Sequence, residues 1–333
     1  MNRAPLIIAE AGVNHNGDIG RAIAMVDAAV HAGADIIKFQ AFNAKSLVTE
    51  HAKTAAYQAS NTGRVNQSEL LKELELSKDA FIKIAEHCAA SKIEFLCTPF
   101  DVEMTADLVE LGMKRIKVAS GELTNLPALQ VFAEFGLPIL LSTGMATLDE
   151  VREALNAMRV AEDKITCLHC TSLYPAPFST LNLKAMVTMQ TTFRTPVGYS
   201  DHSLGDHAAI AAVALGACVI EKHFTLDRSL PGPDHSASME PAELGRMIIR
   251  LREVSTSLGD GDKKPSLEEA NTAALVRRSW HSTRALPKGH TIVWGDVTLK
   301  RPADGLPPGQ TPLGKKLKRR LGADEPVRLA DFS

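Results

Sequence analysis

Short runs of β-branched and other apolar residues alternate with longer segments in which apolar residues recur about every 3.6 positions. The alternation occurs eight times and predicts strands at Leu6–Ala9, Ile36–Gln40, Glu94–Thr98, Arg115–Ala119, Pro138–Ser142, Ile165–Cys170, Pro196–Ser200 and Cys218–His223. The predicted helices between them include Ala22–His31, Ala80–Ser91, Thr147–Arg159 and Ala208–Leu215. Eight strand–helix units in roughly 250 residues predict an α/β protein built on a (β/α)8 TIM barrel. A doubly wound open sheet is disfavoured because no GxGxxG motif follows the first strand.

Two segments interrupt this alternation. Ala41–Ser77 is a long polar excursion after the second strand, and we expect it to form a wall of the active site. Tyr174–Thr195, after the sixth strand, is predicted to be a second elaborated loop.

The pattern changes again towards the carboxyl terminus. A helix at Pro241–Leu258 is followed by a turn-rich hinge and a further helix around Leu267–Val276. Beyond it, short apolar triplets stand among glycine, proline and lysine, as expected for a small β-rich module. We therefore predict a barrel domain at residues 1–262, a linker at 263–278 and a β-rich domain at 279–333.

Composition and charge narrow the class of protein. With 45% hydrophobic residues the chain can bury a large core, and its net charge of -2 gives no sign of a nucleic acid or a membrane surface as a partner. No apolar run is long enough for a signal peptide or a spanning helix. The five cysteines are irregularly spaced, and Cys167 and Cys170 should point to opposite faces of one strand. These features favour a cytoplasmic protein without a zinc or disulfide framework.

Polar residues stand at the carboxyl ends of the predicted strands, where a barrel of this kind builds its active site. Lys117 is accompanied by small hydroxyl side chains from several strands, namely Thr98, Ser120, Ser142 and Ser200. One cation with several short donors suits a phosphate or a carboxylate group. Lys38 and Lys117 both need anionic partners if they are buried. Glu10, Glu122 or a bound ligand would supply them.

Two histidines, His202 and His223, lie at the ends of the seventh and eighth predicted strands. Imidazole nitrogens that converge from neighbouring strands are good ligands for a divalent metal whose other positions hold water or a substrate oxygen. Each histidine alone would more often be a hydrogen-bonding core residue. As a pair at one end of the barrel they predict a metal site.

At this point the motifs can be compared with a known family. The chain resembles the sialic acid synthases, the N-acetylneuraminate synthase group together with its legionaminic acid relatives. The resemblance extends along nearly the whole chain through IIAEAGVNHNGD, AGADIIKFQ, CTPFD, KVASGE, LSTGMAT, LHCTSLYP, GYSDHS, VIEKHFTLDR, PGPDH and KRPADG. It implies a barrel joined to a small domain similar to type III antifreeze proteins, the SAF domain.

The resemblance also implies a reaction and a set of site residues. The family condenses phosphoenolpyruvate with an open-chain N-acylmannosamine-type aldehyde, giving a nine-carbon 2-keto acid and phosphate. The implied catalytic residues are Glu10, Glu122, Lys38 and Lys117. The implied phosphoenolpyruvate-binding residues are Thr98, Lys117, Ser120, Ser142 and Ser200. The implied sugar-binding residues are Lys38, Gln40, Tyr174, Asp234 and Arg301, with Mn²⁺ or Mg²⁺ held by His202 and His223.

In such enzymes the arginine of the KRP motif, here Arg301, reaches into the partner subunit's active site, which implies a domain-swapped homodimer. One departure affects the choice of sugar. Many relatives carry an acidic or amide residue after HCT, whereas this chain has Ser172. The expected substrate is N-acetylmannosamine or a related N-acylated 2-amino-sugar aldehyde, and the alternative is the 2,4-diacetamido-6-deoxy sugar of legionaminic acid synthesis.

Two more distant functions remain open at the level of sequence. A class I aldolase or lyase would use Lys38 or Lys117 to form a Schiff base with pyruvate. A carbohydrate- or ice-binding protein without catalytic activity would fit the antifreeze-like tail. The second is weaker, because binding alone does not call for two lysines, two carboxylates and two histidines at one barrel end.

Overall fold

The computed structural model describes residues 4–332 and divides into two compact units between Asp260 and Gly261. The division falls two residues before the end of the predicted barrel domain at residue 262. The segment 263–278, predicted as a linker, belongs to the second unit and carries its helix.

The first unit is built around eight parallel strands. They are Leu6–Gly12 (β1), Ile36–Ala41 (β2), Glu94–Pro99 (β3), Ile116–Val118 (β4), Ile139–Ser142 (β5), Ile165–Cys170 (β6), Val197–Asp201 (β7) and Val219–His223 (β8). Hydrogen-bonded ladders join them in the order β3-β2-β1-β8-β7-β6-β5-β4, and β3 and β4 contact each other without a ladder. The predicted (β/α)8 barrel is therefore confirmed. Side chains alternate along each strand, so Cys167 packs in the core while Cys170 faces the barrel mouth.

Helices surround the barrel, and further helices lie in the two segments that interrupt the strand–helix alternation. They are Ile19–Ala32 (α1), Ala44–Leu47 (α2), Ala56–Thr62 (α3), Gln67–Leu74 (α4), Lys78–Ala90 (α5), Val102–Glu110 (α6), Leu126–Glu134 (α7), Leu148–Met158 (α8), Lys184–Phe193 (α9), His207–Ala214 (α10) and Pro241–Ser257 (α11). Local sequence sets their ends. Asp18 accepts a hydrogen bond from the Arg21 amide and begins α1, and Gly33, with a φ of 84°, ends it.

The prediction that Tyr174–Thr195 is an elaborated loop was wrong for its second half, which forms α9. This helix buries Met186 and Met189, three residues apart on one face, against the barrel. Its several threonines are weak helix formers, which concealed the helical pattern in the sequence. The excursion Ala41–Ser77 likewise contains three short helices, α2 to α4.

A buried ion pair joins the ends of β7 and β8. The Lys222 ammonium lies 2.7 Å from the Asp201 carboxylate and donates a second hydrogen bond to the carbonyl of Ser203. The other carboxylate oxygen of Asp201 accepts hydrogen bonds from the Ser203 amide and hydroxyl. Full pairing makes this burial of charge tolerable. The pair holds together the two strand ends that carry His202 and His223.

The second unit, residues 261 onward, is β-rich as predicted. It contains the helix Leu267–Val276 (α12) and the antiparallel strands Ser279–Ser282 (β9) and Val297–Lys300 (β10). Its small core is formed by Trp280, Leu286, Ile292, Val297, Leu306, Leu317, Leu321 and Val327. Asp296 is buried and accepts hydrogen bonds from Arg284, His290 and the Val293 amide, which ties one loop of this unit together. Within residues 4–332 no helix has the length and apolar character needed to cross a membrane.

Candidate active site

A cavity of about 290 Å³ opens at the carboxyl ends of the barrel strands. The predicted site residues among its lining are Glu10, Lys38, Gln40, Thr98, Lys117, Ser120, Ser142, Tyr174, Ser200, His202, His223 and Asp234. A larger cavity of about 640 Å³ adjoins it beside α9, but the lysines and glutamates Lys38, Lys117, Glu10 and Glu221 line only the smaller one. The smaller cavity is therefore the candidate active site.

Two predicted site residues are not part of this lining. Glu122 is half-buried just beyond β4, where its carboxylate accepts a hydrogen bond from Asn125 at 2.8 Å. Arg301 belongs to the second unit and is exposed. Their roles in catalysis and in sugar binding stay predictions.

Alternating lysines and glutamates form the floor of the cavity. The Lys38 ammonium lies 2.9 Å from a carboxylate oxygen of Glu10 and donates a hydrogen bond to Thr98 at 2.7 Å. Glu221 bridges the two lysines, with one oxygen 3.8 Å from Lys38 and the other 3.4 Å from Lys117. The sequence suggested Glu10 and Glu122 as the partners of the lysines, and the structure places Glu221 rather than Glu122 in the second position.

Burial and neighbouring charges separate the two glutamates in acidity. Burial raises the pKa of Glu10, and the negative charge of Glu221 adds to this effect, so the pKa stays raised despite the nearby Lys38. Burial would also raise the pKa of Glu221, but Lys117, Lys38 and a hydrogen bond from Ser200 lower it to about 2. One carboxyl group is thus suited to carry a proton and the other to stay ionised, the arrangement that enzymes use for acid–base chemistry.

Hydroxyl groups and a tight turn form one side of the cavity. Lys117 donates a hydrogen bond to Ser142 at 2.8 Å, and the Gly144 amide donates one to Ser120 at 3.0 Å. A Cβ atom at Gly144 would overlap the hydroxyl oxygens of Ser120 and Ser172. Glycine at this turn therefore lets both hydroxyls approach the backbone, and the resulting set of short donors around one ammonium suits an anion.

The two histidines meet on another side of the cavity, with ring centroids 5.3 Å apart. Nδ1 of His202 lies 2.8 Å from the Thr171 carbonyl oxygen. Because a carbonyl oxygen can only accept a hydrogen bond, Nδ1 carries a proton, and Nε2 is the ring nitrogen available to bind a metal. Nδ1 of His223 is buried without a hydrogen-bond partner. Both features fit metal ligation. Among residues 4–332 no group of three or more His, Cys, Asp or Glu side chains is arranged to hold a metal, so two histidines would leave the remaining positions open.

Aromatic and carboxylate groups form the side predicted to receive sugar. Tyr174 stacks on Tyr57 with ring centroids 5.0 Å apart and lies 4.1 Å from the ring of His202. Asp234 is buried with one carboxylate oxygen unpartnered, and burial, together with the charge of Glu10, raises its pKa to about 6. An unpaired acceptor in a cavity is suited to receive a ligand hydroxyl. Sequence analysis missed Tyr57, because it lies in the excursion rather than at a strand end.

The segment that carries Asp234 is fastened from two directions. Asn16, after β1, donates to the carbonyl of Pro231 at 2.6 Å, and Asn61, on α3, donates to the carbonyl of Pro233 at 2.7 Å. His235 forms a 2.7 Å hydrogen bond with Thr225. These contacts give the NHNGD and PGPDH motifs a structural purpose, since they fix the backbone on both sides of Asp234.

Together the closed barrel and the charged cavity at its carboxyl ends define a TIM-barrel protein with an enzyme-type site. The model of the NeuB family matches residues 25–263, and the chain belongs to that family. Two N,N'-diacetyllegionaminic acid synthases are similar to it over nearly their full lengths. The one from Campylobacter jejuni is 46% identical, covering 97% of this chain and 98% of that protein. The one from Legionella pneumophila is 47% identical, covering 95% of this chain and 91% of that protein.

A solved structure supports the same relationship. The N-acetylneuraminic acid synthetase of Leptospira borgpetersenii, crystallised with citrate, is 36% identical and superimposes with a TM-score of 0.74. The match covers 81% of this chain and 90% of that one. The predicted family is therefore confirmed, and this protein is an enzyme of the NeuB type.

Proposed function

We propose that the protein is a transferase that condenses phosphoenolpyruvate with 2,4-diacetamido-2,4,6-trideoxymannose to give N,N'-diacetyllegionaminic acid and phosphate. The observation that carries the proposal is the identity of 46% and 47% with two N,N'-diacetyllegionaminic acid synthases over nearly the whole chain. The solved N-acetylneuraminic acid synthetase is less similar, at 36%. The legionaminic substrate, given as the alternative in the sequence analysis, is therefore preferred to N-acetylmannosamine.

Phosphoenolpyruvate would occupy the hydroxyl side of the cavity. Lys117 would contact its phosphate or carboxylate group, with Ser120 and Ser142 as short donors. Thr98 and Ser200 at present bind Lys38 and Glu221, and would hold those side chains in position against the bound anion.

The chemistry would follow from the separated acidities of the two glutamates. The enol carbon of phosphoenolpyruvate attacks the sugar aldehyde, a C–C bond forms, and positive charge develops at C2. Water adds at C2, and cleavage of the C–O bond to the phosphate group releases phosphate. Glu221, which stays ionised, would stabilise the positive charge, while Glu10 exchanges a proton with the aldehyde oxygen or the attacking water. Glu122 is the remaining candidate for the proton transfer.

The charge balance of the cavity favours a divalent cation as cofactor. Glu221 offsets one of the two lysine charges, so even with Glu10 protonated the cavity keeps a single net positive charge, which is too little to balance the several negative charges of phosphoenolpyruvate. Mn²⁺ or Mg²⁺ on the two histidines would neutralise the remaining negative charge and, when bound, polarise the aldehyde oxygen as a Lewis acid. Nδ1 of His223, which is buried without a hydrogen-bond partner, supports this assignment.

The second unit would complete the site in a homodimer. Arg301 would reach the partner's cavity and bind an N-acyl group of the sugar, as the resemblance implies. We also propose that the protein acts in the cytoplasm, where phosphoenolpyruvate is made. An Arg301→Ala variant should raise KM for the sugar much more than KM for phosphoenolpyruvate. Mixing the Arg301→Ala protein with an inactive Lys117→Met protein should restore a fraction of sites with the wild-type KM for the sugar only if sites are shared between subunits.

Oxygen-18 in the bridging position of phosphoenolpyruvate tests the reaction type. C–O cleavage transfers the label to the released phosphate, and this is the expected result. Retention of the label in the keto acid would overturn the mechanism. A Schiff-base aldolase would instead be trapped covalently by borohydride in the presence of pyruvate, and its activity would survive a chelator.

A further inference from the structure

One wall of the cavity is formed entirely by apolar side chains. Leu70, Leu71 and Leu74 of α4 line it together with Val13, after β1, and Phe100, after β3. These residues belong to one small apolar cluster that is separate from the barrel core. On this wall no side chain offers a hydrogen-bond donor or acceptor, whereas the rest of the cavity is rich in charged and hydroxyl groups.

We propose that this wall selects a sugar with a methyl group at C6 rather than a hydroxymethyl group. The inference rests on the proposed function and identifies the residues that set its substrate preference. A methyl group gains by leaving water for an aliphatic surface, whereas a hydroxyl group buried there finds no hydrogen-bond partner. The wall therefore attracts the 6-deoxy sugar and penalises its 6-hydroxy counterpart.

The position of the wall agrees with this assignment. Val13 follows β1, Phe100 follows β3, and α4 belongs to the segment between β2 and β3, so the wall stands over these three strands. Ser142 is on β5, which neighbours none of them, although β3 contacts β4, which carries Lys117. The aldehyde carbon must meet phosphoenolpyruvate, so the opposite end of the six-carbon chain points away from the phosphate side. That end carries C6.

The wall is held rigidly, as a surface that discriminates between substrates must be. Asn66 caps the start of α4 through the Glu69 amide at 3.1 Å. Beyond its end, Glu75 accepts a hydrogen bond from the Ala44 amide at 3.0 Å. A Cβ atom at Gly17 would overlap the carbonyl of Glu73, so the loop after β1 packs closely against the last turn of α4. The leucines therefore keep their place when the hydroxylated sugar enters.

Leu71 is the residue on which to test the wall, because it is half-buried, whereas Leu70 and Leu74 are buried in the cluster. The two substrates should differ only at C6: 2,4-diacetamido-2,4,6-trideoxymannose and 2,4-diacetamido-2,4-dideoxymannose. Wild-type enzyme should favour the first by about tenfold or more in kcat/KM, the usual range for a small apolar group in a hydrophobic pocket. Leu71→Gln keeps size and helix propensity but adds an amide, and should reduce the preference to about threefold or less.

Two controls isolate the effect. Leu71→Met keeps the wall apolar and should retain the wild-type preference, as should Val65→Asn, an exposed change in the same excursion away from the cavity. If Leu71→Gln does not fold, Leu71→Ala serves in its place with the same expected direction. A folded Leu71→Gln enzyme with the wild-type preference, or a wild type indifferent to C6, would overturn the inference while leaving the proposed function standing. A wild type that uses neither sugar would overturn both.

Discussion

The buried pair of Lys222 and Asp201 allows a quantitative test of how the site is supported. Its two charged atoms are 2.7 Å apart and both side chains are at most 1% exposed. Their attraction is on the order of 6 kcal/mol at an effective dielectric constant of about 20, before the cost of desolvating both groups is subtracted. Replacing Lys222 with methionine leaves the Asp201 carboxylate buried without its cation. We expect a loss of about 3–5 kcal/mol in the free energy of unfolding.

The chain contains a matched control. Lys78 and Asp107 are also 2.7 Å apart, but their side chains are 60% and 42% exposed. Because water screens this pair and both side chains are mobile, Lys78→Met and Asp107→Asn should leave stability almost unchanged. The two ion pairs have the same charge separation but differ in burial, so comparing them isolates the effect of burial on the stability that each pair contributes.

A double-mutant cycle provides the measurement. Urea unfolding of wild type, Lys222→Met, Asp201→Asn and the double variant should be followed by far-ultraviolet circular dichroism. The only tryptophans, Trp280 and Trp294, lie in the second unit, so their fluorescence reports the state of that unit and circular dichroism is needed for the barrel. The double variant should lose less than the sum of the single losses, since both charges are then absent. A Lys222→Met barrel as stable as wild type, or equal coupling in the two pairs, would refute the reasoning.

Three further predictions concern the metal, the sugar and the second unit. His202→Ala and His223→Ala should each weaken Mn²⁺ binding measured by titration calorimetry, together with activity, and a double variant with unchanged affinity would exclude these ligands. Because burial and Glu10 raise the pKa of Asp234 to about 6, KM for the sugar should rise as the pH falls below about 6, and Asp234→Asn should remove this dependence. Burial would raise the pKa of Asp296, but its hydrogen bonds lower it to about 2. Because the pKa is lowered, the ionised Asp296 stabilises the second unit at pH values above the ordinary pKa of an aspartate, and this stabilisation should be lost as the pH falls towards 2. Tryptophan fluorescence should report the loss. The Asp296→Asn variant should lack the same stabilisation at neutral pH.

The barrel and most of the cavity could be predicted from the sequence. The spacing of apolar residues was enough to predict the strands and helices, and the position of polar residues at strand ends was enough to predict the cavity. Strand ends meet at one edge of a barrel, so Lys38, Lys117 and His223 could be brought together without coordinates. Glu221 escaped assignment as the partner of the lysines, although a signal was present. Two residues before His223 on the same strand, it must share the same inward face.

The remainder depended on tertiary packing that no local pattern encodes. Tyr57 and Leu71 reach the cavity because α3 and α4 fold back over the barrel mouth, and nothing in the excursion indicated which of its residues would face inward. Glu122 follows β4 and was therefore suggested as a partner of the lysines, but its carboxylate accepts a hydrogen bond from Asn125, and Glu221 lies beside the lysines instead. The position of a residue in the sequence identified it as a candidate for the site, but tertiary packing determined which candidates line the cavity.

The most direct test of the central claim is a competition between the two candidate sugars. Purified protein should be incubated with phosphoenolpyruvate, Mn²⁺ and equal amounts of 2,4-diacetamido-2,4,6-trideoxymannose and N-acetylmannosamine, and the products separated by mass. We predict that N,N'-diacetyllegionaminic acid forms in clear excess, with one phosphate released for each molecule made. Predominant formation of N-acetylneuraminate, or no nine-carbon acid at all, would contradict the account.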